Sequence, residues 1–163
     1  NIDAAAAIAT SKITFDGVRV TNTADISLLT ATVTLMTWDT ETFDTNAYHS
    51  TASNTGRLIA PTTGKYLIEG SVDFGQEATP IDNIRILHIR LNAAGSGAGG
   101  TLIARIRSDV PTLTGAFNLN VSTVHLLTAA DYVELFAYQD SGETFNANLS
   151  NVPSHFSMTR LGA

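Results

Sequence analysis

The sequence predicts an all-β protein, with antiparallel strands folded into a two-sheet sandwich or jelly roll. Three observations carry this. Several segments alternate apolar and polar residues with a period of two, as half-buried strands do. Turn signals separate these segments at regular intervals, and no stretch of helical period is long enough for a substantial helix. The composition agrees. Hydrophobic residues make up 44% and charged residues 15% of the 163 residues, and Thr, Ala, Asn, Ser and Val are plentiful. That is a globular β protein with polar loops, long enough for one domain with its own core.

The chain opens with an Ala-rich arm over residues 1–12, followed by a single domain over residues 13–163. An arm of this kind is ordered only if something ties it down. Residues 13–22 alternate around Asp16-Gly17 and read as a strand with a turn or bulge. Residues 31–38 alternate strictly, with Val33 and Leu35 expected inward. Residues 39–55 form a long polar loop carrying Phe43, Tyr48 and His49, a length that marks a functional or packing feature.

Residues 56–74 read as a short strand, a tight turn marked by Pro61 and Gly64, and a long strand. Tyr66, Ile68, Val72 and Phe74 point one way, and Lys65, Glu69, Ser71 and Asp73 the other. Gly70 interrupts the apolar face and leaves room for the close approach of a backbone or a large ring.

Residues 83–91 form a nearly continuous apolar strand with Arg85, His88 and Arg90 interspersed, and residues 93–100 a flexible hairpin loop. Residues 102–107 return with Leu102, Ala104 and Ile106 on one face. Residues 117–126 place Phe117, Leu119, Val121 and Thr123 together. Residues 132–139 are apolar on both faces, which requires burial on both sides, either centrally or in a subunit interface. Residues 145–149 and 155–161 close a set of eight to ten strands.

Charge and composition exclude several functions. The net charge is −6 with no Lys/Arg cluster, which argues against a nucleic-acid surface. There is no cysteine, hence no disulfide framework and no thiolate metal site. No apolar run approaches the ~20 residues of a membrane span.

Gly95, Gly97 and Gly100 spell GxGxxG, but a strand follows where dinucleotide binding needs a helix. Asp39, Glu41 and Asp44 offer oxygen ligands for Ca²⁺, without the glycine and terminal glutamate of a helix-loop-helix calcium loop. The competing reading is carboxylates that cap turns. His49, His88, His125 and His155 lack metal-ligand spacing. No nucleophile, base and orienting acid can be assigned, so neither an enzyme nor a cofactor is expected. Asn120 and Asn148 lie in N-x-S sequons, which matter only in a secretory setting. Tyr66, Phe136, Tyr138 and Phe156 read either as core or as a buried subunit interface, where such residues are enriched.

An ordered series of short motifs runs over most of the chain. It comprises Trp38-Asp39 with Phe43-Asp44; Tyr48-His49-Ser50 and Asn54; Arg57-Leu58; and Ala60-Pro61 with Gly64 and Tyr66. Arg85 and Asn92 follow, then Leu126 with residues 131–135, then Tyr138-Gln139, Ser141-Gly142 and residues 156–162. The series resembles the jelly-roll domain of the complement component-one-q and tumour-necrosis-factor families, in the version found in structural proteins of tailed bacteriophages. Two positions depart: Ala130 and Asn83 stand where glycine is usual.

The resemblance implies a ten-stranded jelly roll forming a homotrimer, with Tyr66, Phe136, Tyr138 and Phe156 at the trimer interface. It also implies a virion structural protein: a trimeric cement or decoration protein on the outer surface of the capsid. Such a protein stabilises the phage head by multivalent binding. Its partners would be itself and the major capsid protein, with the arm residues Asn1, Ile2, Asp3 and Ile8 on the capsid, and no metal, nucleic acid or membrane. The outer loops, residues 39–55 and 93–100 among them, would stay free for contacts. The alternative is a receptor- or glycan-binding tip of a tail or head fibre, with Tyr48 as an exposed aromatic candidate. A secreted cytokine-like or lectin-like ligand is a third reading.

Overall fold

The computed structural model describes residues 15–76, 83–110, 116–147 and 153–163. The arm residues Asn1, Ile2, Asp3 and Ile8, and the sequon at Asn148, lie outside them.

The described residues form twelve strands and no helix: β1 (Gly17–Thr21), β2 (Ile26–Leu28), β3 (Thr34–Leu35), β4 (Thr40–Asp44), β5 (Arg57–Ile59), β6 (Gly64–Phe74), β7 (Asn83–Leu91), β8 (Thr101–Val110), β9 (Phe117–Leu127), β10 (Tyr132–Gln139), β11 (Phe145–Ala147) and β12 (His155–Gly162). The alternating runs at residues 65–74 and 117–126 lie within β6 and β9, whereas only Thr34-Leu35 of the alternating residues 31–38 form a strand.

All pairing is antiparallel, in two sheets. The first is built on β6, which pairs with β9 along its whole length, from Gly64↔Leu127 to Phe74↔Phe117. On its other side lie β12, β1 and β4 in turn, and β11 and β2 extend the sheet from Phe74. The second sheet is built on β10, with β7 and then β8 on one side and β3 and β5 successively on the other.

The core lies between the sheets. Tyr66, Ile68, Val72 and Phe74 from β6 join Val133, Leu135 and Ala137 from β10, with Val18, Val20, Phe156 and Met158 from β1 and β12. Each large side chain so buried contributes about 1.5–3 kcal/mol. The gap left at Gly70 is filled by a side chain from the facing sheet: a Cβ at Gly70 would lie 2.7 Å from Leu135 Cδ1 and 2.8 Å from Cδ2. Neither a backbone nor a ring makes this approach.

Two face assignments change, one over residues 31–38 and one at Leu102. Val33 and Leu35 were expected inward, but Met36 and Trp38 occupy the core, and Val33 is exposed. The chain leaves the β10 ladder after two residues and crosses to the other sheet. The Met36 N–H donates to Leu135 O, and the Asp39 N–H to Thr21 O. On β8 a bulge between Ile89 and Arg90 of its partner turns Leu102 outward and sets Ile103 beside Ala104 and Ile106 against the core. A bulge inverts the parity that a strict period of two would assign.

The segment after β7 is not free. Residues 93–100 lie down across the outer face of the second sheet. The Gly95 N–H donates to both Glu134 carboxylate oxygens at 3.1 and 3.0 Å, and Arg90 Nε donates to Gly99 O at 2.7 Å. The small residues are a steric need: a Cβ on Gly97 would sit 2.3 Å from Val33 Cγ1. This strap engages one outward residue of β10, Glu134. Glu134 and Phe136 face outward from the sandwich, yet both are buried within the single chain.

Candidate functional site

The outward face of the first sheet carries the surface most in need of explanation. Strand parity places Lys65, Leu67, Glu69, Ser71 and Asp73 on it from β6. Their cross-strand neighbours on β9 are Leu126, Val124, Ser122, Asn120 and Asn118. Thr159, Ser157 and His155 of β12 stand opposite Leu67, Glu69 and Ser71, and Gly17, Arg19 and Thr21 of β1 lie beyond them.

The rows grade from apolar to polar. At one end lie Val124, Leu126 and Leu161, which are 55%, 62% and 57% exposed. Leu161 projects from the bulge that ends the β12–β6 ladder. Phe15 lies against Gly17 and meets Phe43 edge-on, with ring centroids 5.2 Å apart. The apolar band thus comprises Phe43 on β4, Phe15 just before β1, Leu161 on β12, and Val124 and Leu126 on β9, with half-buried Leu67 of β6 opposite Val124. Exposed large apolar side chains gathered on one sheet face, from β4, β12, β9 and the stretch just before β1, are the kind of patch that marks an interaction surface.

The opposite end is polar and closed. Ser71, Asp73 and Ser154 are buried, and the Asp73 N–H donates to Ser154 Oγ at 3.0 Å. Asn118 and Ser71 are hydrogen-bonded at 3.2 Å, and Asn120 Nδ2 donates to Asn118 Oδ1 at 2.9 Å. Among the described residues the buried Asp73 Oδ2 atom has no partner, and burial pushes its carboxyl up from the usual range. Burial likewise lowers His155 on the same face.

The expected interface aromatics fall in different places. Tyr66 and Phe156 are wholly buried in the core of the single chain, and the Tyr66 hydroxyl donates to Thr62 O at 2.6 Å. They have no area left to bury against another copy. Phe136 is wholly buried on the outer side of the second sheet, where the strap crosses. Tyr138 is half-buried on that side. The apolar band was missed because Val124, Leu126 and Leu161 stand at ordinary strand positions, and nothing local marks them as uncovered.

The loop over residues 39–55 is likewise tied down. Its first part is β4, paired with β1. The Asp44 carboxylate accepts the N–H groups of Asn46, Tyr48 and His49 at 2.9–3.1 Å. Asp39 accepts from the N–H and hydroxyl of Thr23 and the hydroxyl of Thr40. Burial opposes ionisation of Asp39, but these hydrogen bonds outweigh it and hold the carboxyl below its usual range. Glu41 pairs with His49 Nδ1 at 3.0 Å. The three carboxylates are therefore turn caps and anchors pointed at separate protein groups. Among the described residues no three His, Asp or Glu side chains gather as a metal site.

Tyr48 is buried, not exposed, and its hydroxyl donates to Asp16 at 2.6 Å. Burial first, and then that hydrogen bond, pushes its phenol well up. It offers no receptor-binding ring.

Several residues of the motif series prove to be backbone joints. Asn54 and Asn92 adopt left-handed φ angles of 50° and 54°. The Asn92 side chain donates to Asp131 at 2.8 Å and accepts the Tyr132 N–H at 3.0 Å. Ala130, in place of the usual glycine, takes φ 73°, a conformation that costs an alanine about 1–2 kcal/mol.

Two antiparallel sheets in this order, with no helix among the described residues, make the fold a tumour-necrosis-factor-like jelly roll. Crystal structures of murine APRIL are similar to it. The one at pH 8.0 has a TM-score of 0.63 and 14% identity, and the one at pH 5.0 has 0.62 and 13%; each covers 91% of this chain and 100% of the other. No protein-family model matches the chain, and no curated protein matches it.

Proposed function

We propose that this chain is a self-associating structural domain. It forms a homotrimer that buries the apolar band of the first sheet, and it acts as a decoration protein on the outside of a phage capsid. The observation that carries the self-association is the band itself: Phe15, Phe43, Val124, Leu126 and Leu161, all exposed in the single chain on one sheet face. Covering it in an oligomer is the common solution for such a face. The jelly-roll fold supports a trimer as the form, and the resemblance of the motif series to phage structural proteins supports the address.

The role is structural rather than catalytic. Three linked copies present each surface three times, so weak contacts to neighbouring capsid subunits add through high effective concentration. A fibre-tip receptor-binding domain is the second reading; the cavity beside Arg57 and Glu134 favours it.

The test has two parts. Sedimentation equilibrium of the purified chain is expected to give three times the 17.2 kDa protomer mass. A monomer at micromolar concentration refutes the trimer. Quantitative mass spectrometry of virions against the major capsid protein then gives copy number. Hundreds of copies per particle are expected for a decoration protein, and a few to a few tens move the chain to a fibre.

A further inference from the structure

We infer that the outer face of the second sheet holds a binding site for a single neutral sugar residue. The site is a cavity of about 270 Å³ between the strap and the start of β5, lined among others by Thr37, Asn54, Thr55, Arg57, Gly95 and Glu134. It lies just under the ~300 Å³ at which pockets for drug-sized ligands begin, room for one pyranose ring.

The polar groups in its wall are fixed in advance. Glu134 is 1% exposed and is held by Arg57 Nε at 3.0 Å and by the Gly95 N–H. The Arg57 guanidinium also stacks on the Tyr132 ring, with its central carbon 4.1 Å from the centroid. One edge and one face of the guanidinium are thereby committed. No hydrogen bond among the described residues engages its two η nitrogens. A planar donor held in place with free N–H groups at a cavity wall loses little entropy on meeting an acceptor.

The lips of the cavity are shaped by left-handed backbone. Asn54 has φ 50° on one side, and Ala94 and Gly95 have 53° and 75° on the other. Non-glycine residues in this region cost free energy and gather where a site needs them.

Charge selects the ligand. Arg57 and Glu134 cancel, so the wall is strongly polar without net charge. A carboxylate ligand meets Glu134, and an ammonium ligand meets Arg57. A neutral polyol avoids both: its oxygens accept from the Arg57 η nitrogens, while the buried Glu134 stays paired with Arg57 and Gly95 and fixes that guanidinium. The Thr37 and Thr55 hydroxyls and the Asn54 amide serve both directions. The site lies on the opposite side of the sandwich from the apolar band, so an assembly that covers the band leaves it open.

The test is NMR titration of the intact chain with D-glucose, D-galactose, D-mannose and N-acetyl-D-glucosamine. D-glucuronate and D-glucosamine serve as charged comparisons. At least one neutral sugar is expected to shift the Gly56 and Gly95 amides saturably at millimolar concentration, a typical range for a few hydrogen bonds. Asn54→Gly, which keeps the left-handed turn, and Thr37→Val are each expected to weaken binding about tenfold, the value of one lost hydrogen bond. The proposal is overturned if no neutral sugar shifts those amides, if only the charged sugars do, or if the shifts survive both substitutions. The readout does not depend on oligomeric state, so it succeeds or fails separately from the trimer.

Discussion

Replacing Leu126 by serine is the sharpest probe of the apolar band. Leu126 is 62% exposed and sits opposite Lys65 at an open row of the β6–β9 ladder, so the substitution removes no core contact. Fully burying a leucine contributes about 1.5–3 kcal/mol, and the exposed fraction leaves roughly 1–2 kcal/mol per copy to be gained on association. Three copies per trimer make that ~3–6 kcal/mol, which lowers the overall association constant roughly a hundredfold to ten-thousandfold. Sedimentation equilibrium at several protomer concentrations reads this directly. Leu102→Ser is the control, since Leu102 is 44% exposed but lies on β8 of the other sheet. The reasoning is refuted if Leu126→Ser leaves association unchanged, or if Leu102→Ser weakens it equally.

Two further outcomes follow from the interior. Gly70→Ala forces a Cβ against a fully buried Leu135 and is expected to cost about 1–3 kcal/mol in urea unfolding at fixed protomer concentration. In a Leu135→Ala background that cost should vanish, and an equal cost in both backgrounds removes the contact as its cause. Asp73, whose carboxyl is raised by burial, binds its proton more tightly folded than unfolded. Its destabilising charge is absent below the unfolded carboxylate range and fully present once pH exceeds the raised folded value. Asp73→Asn should therefore melt above the parent at pH 7, with the gap narrowing as pH falls into the carboxylate range. His88 and His155, lowered by burial, act in the opposite direction on acidification, so the difference between the two proteins is the quantity to follow. A gap independent of pH rules out ionisation of Asp73 as the source.

Strand identity was legible in the long alternating runs, though not over residues 31–38, where only Thr34-Leu35 form a strand. The alternation of β6 and β9 named their core faces residue by residue, because a regular strand leaves each side chain no choice of face. It failed where regularity did: at the crossing near Met36 and Trp38, and at the β8 bulge that expels Leu102. Asp39, Glu41 and Asp44 put three carboxylates within six residues, but whether they converge depends on backbone directions that residue spacing does not encode.

Residue order alone was enough for the all-β class, the long strands and the lack of any cysteine staple, since these follow from local chemistry and side-chain parity. Which apolar residues end up uncovered was a matter of tertiary packing. Phe136 and Leu126 are equally apolar and both point out of the sandwich. One lies on the side that the strap crosses and is wholly buried; the other stands 62% open to solvent. The difference comes from sheet position: Phe136 lies on β10 between Leu35 and His88 of its neighbours, whereas Leu126 lies on β9, which among the described residues pairs with β6 alone. No local pattern around either residue contains that information, because burial is set by what the rest of the chain lays on top.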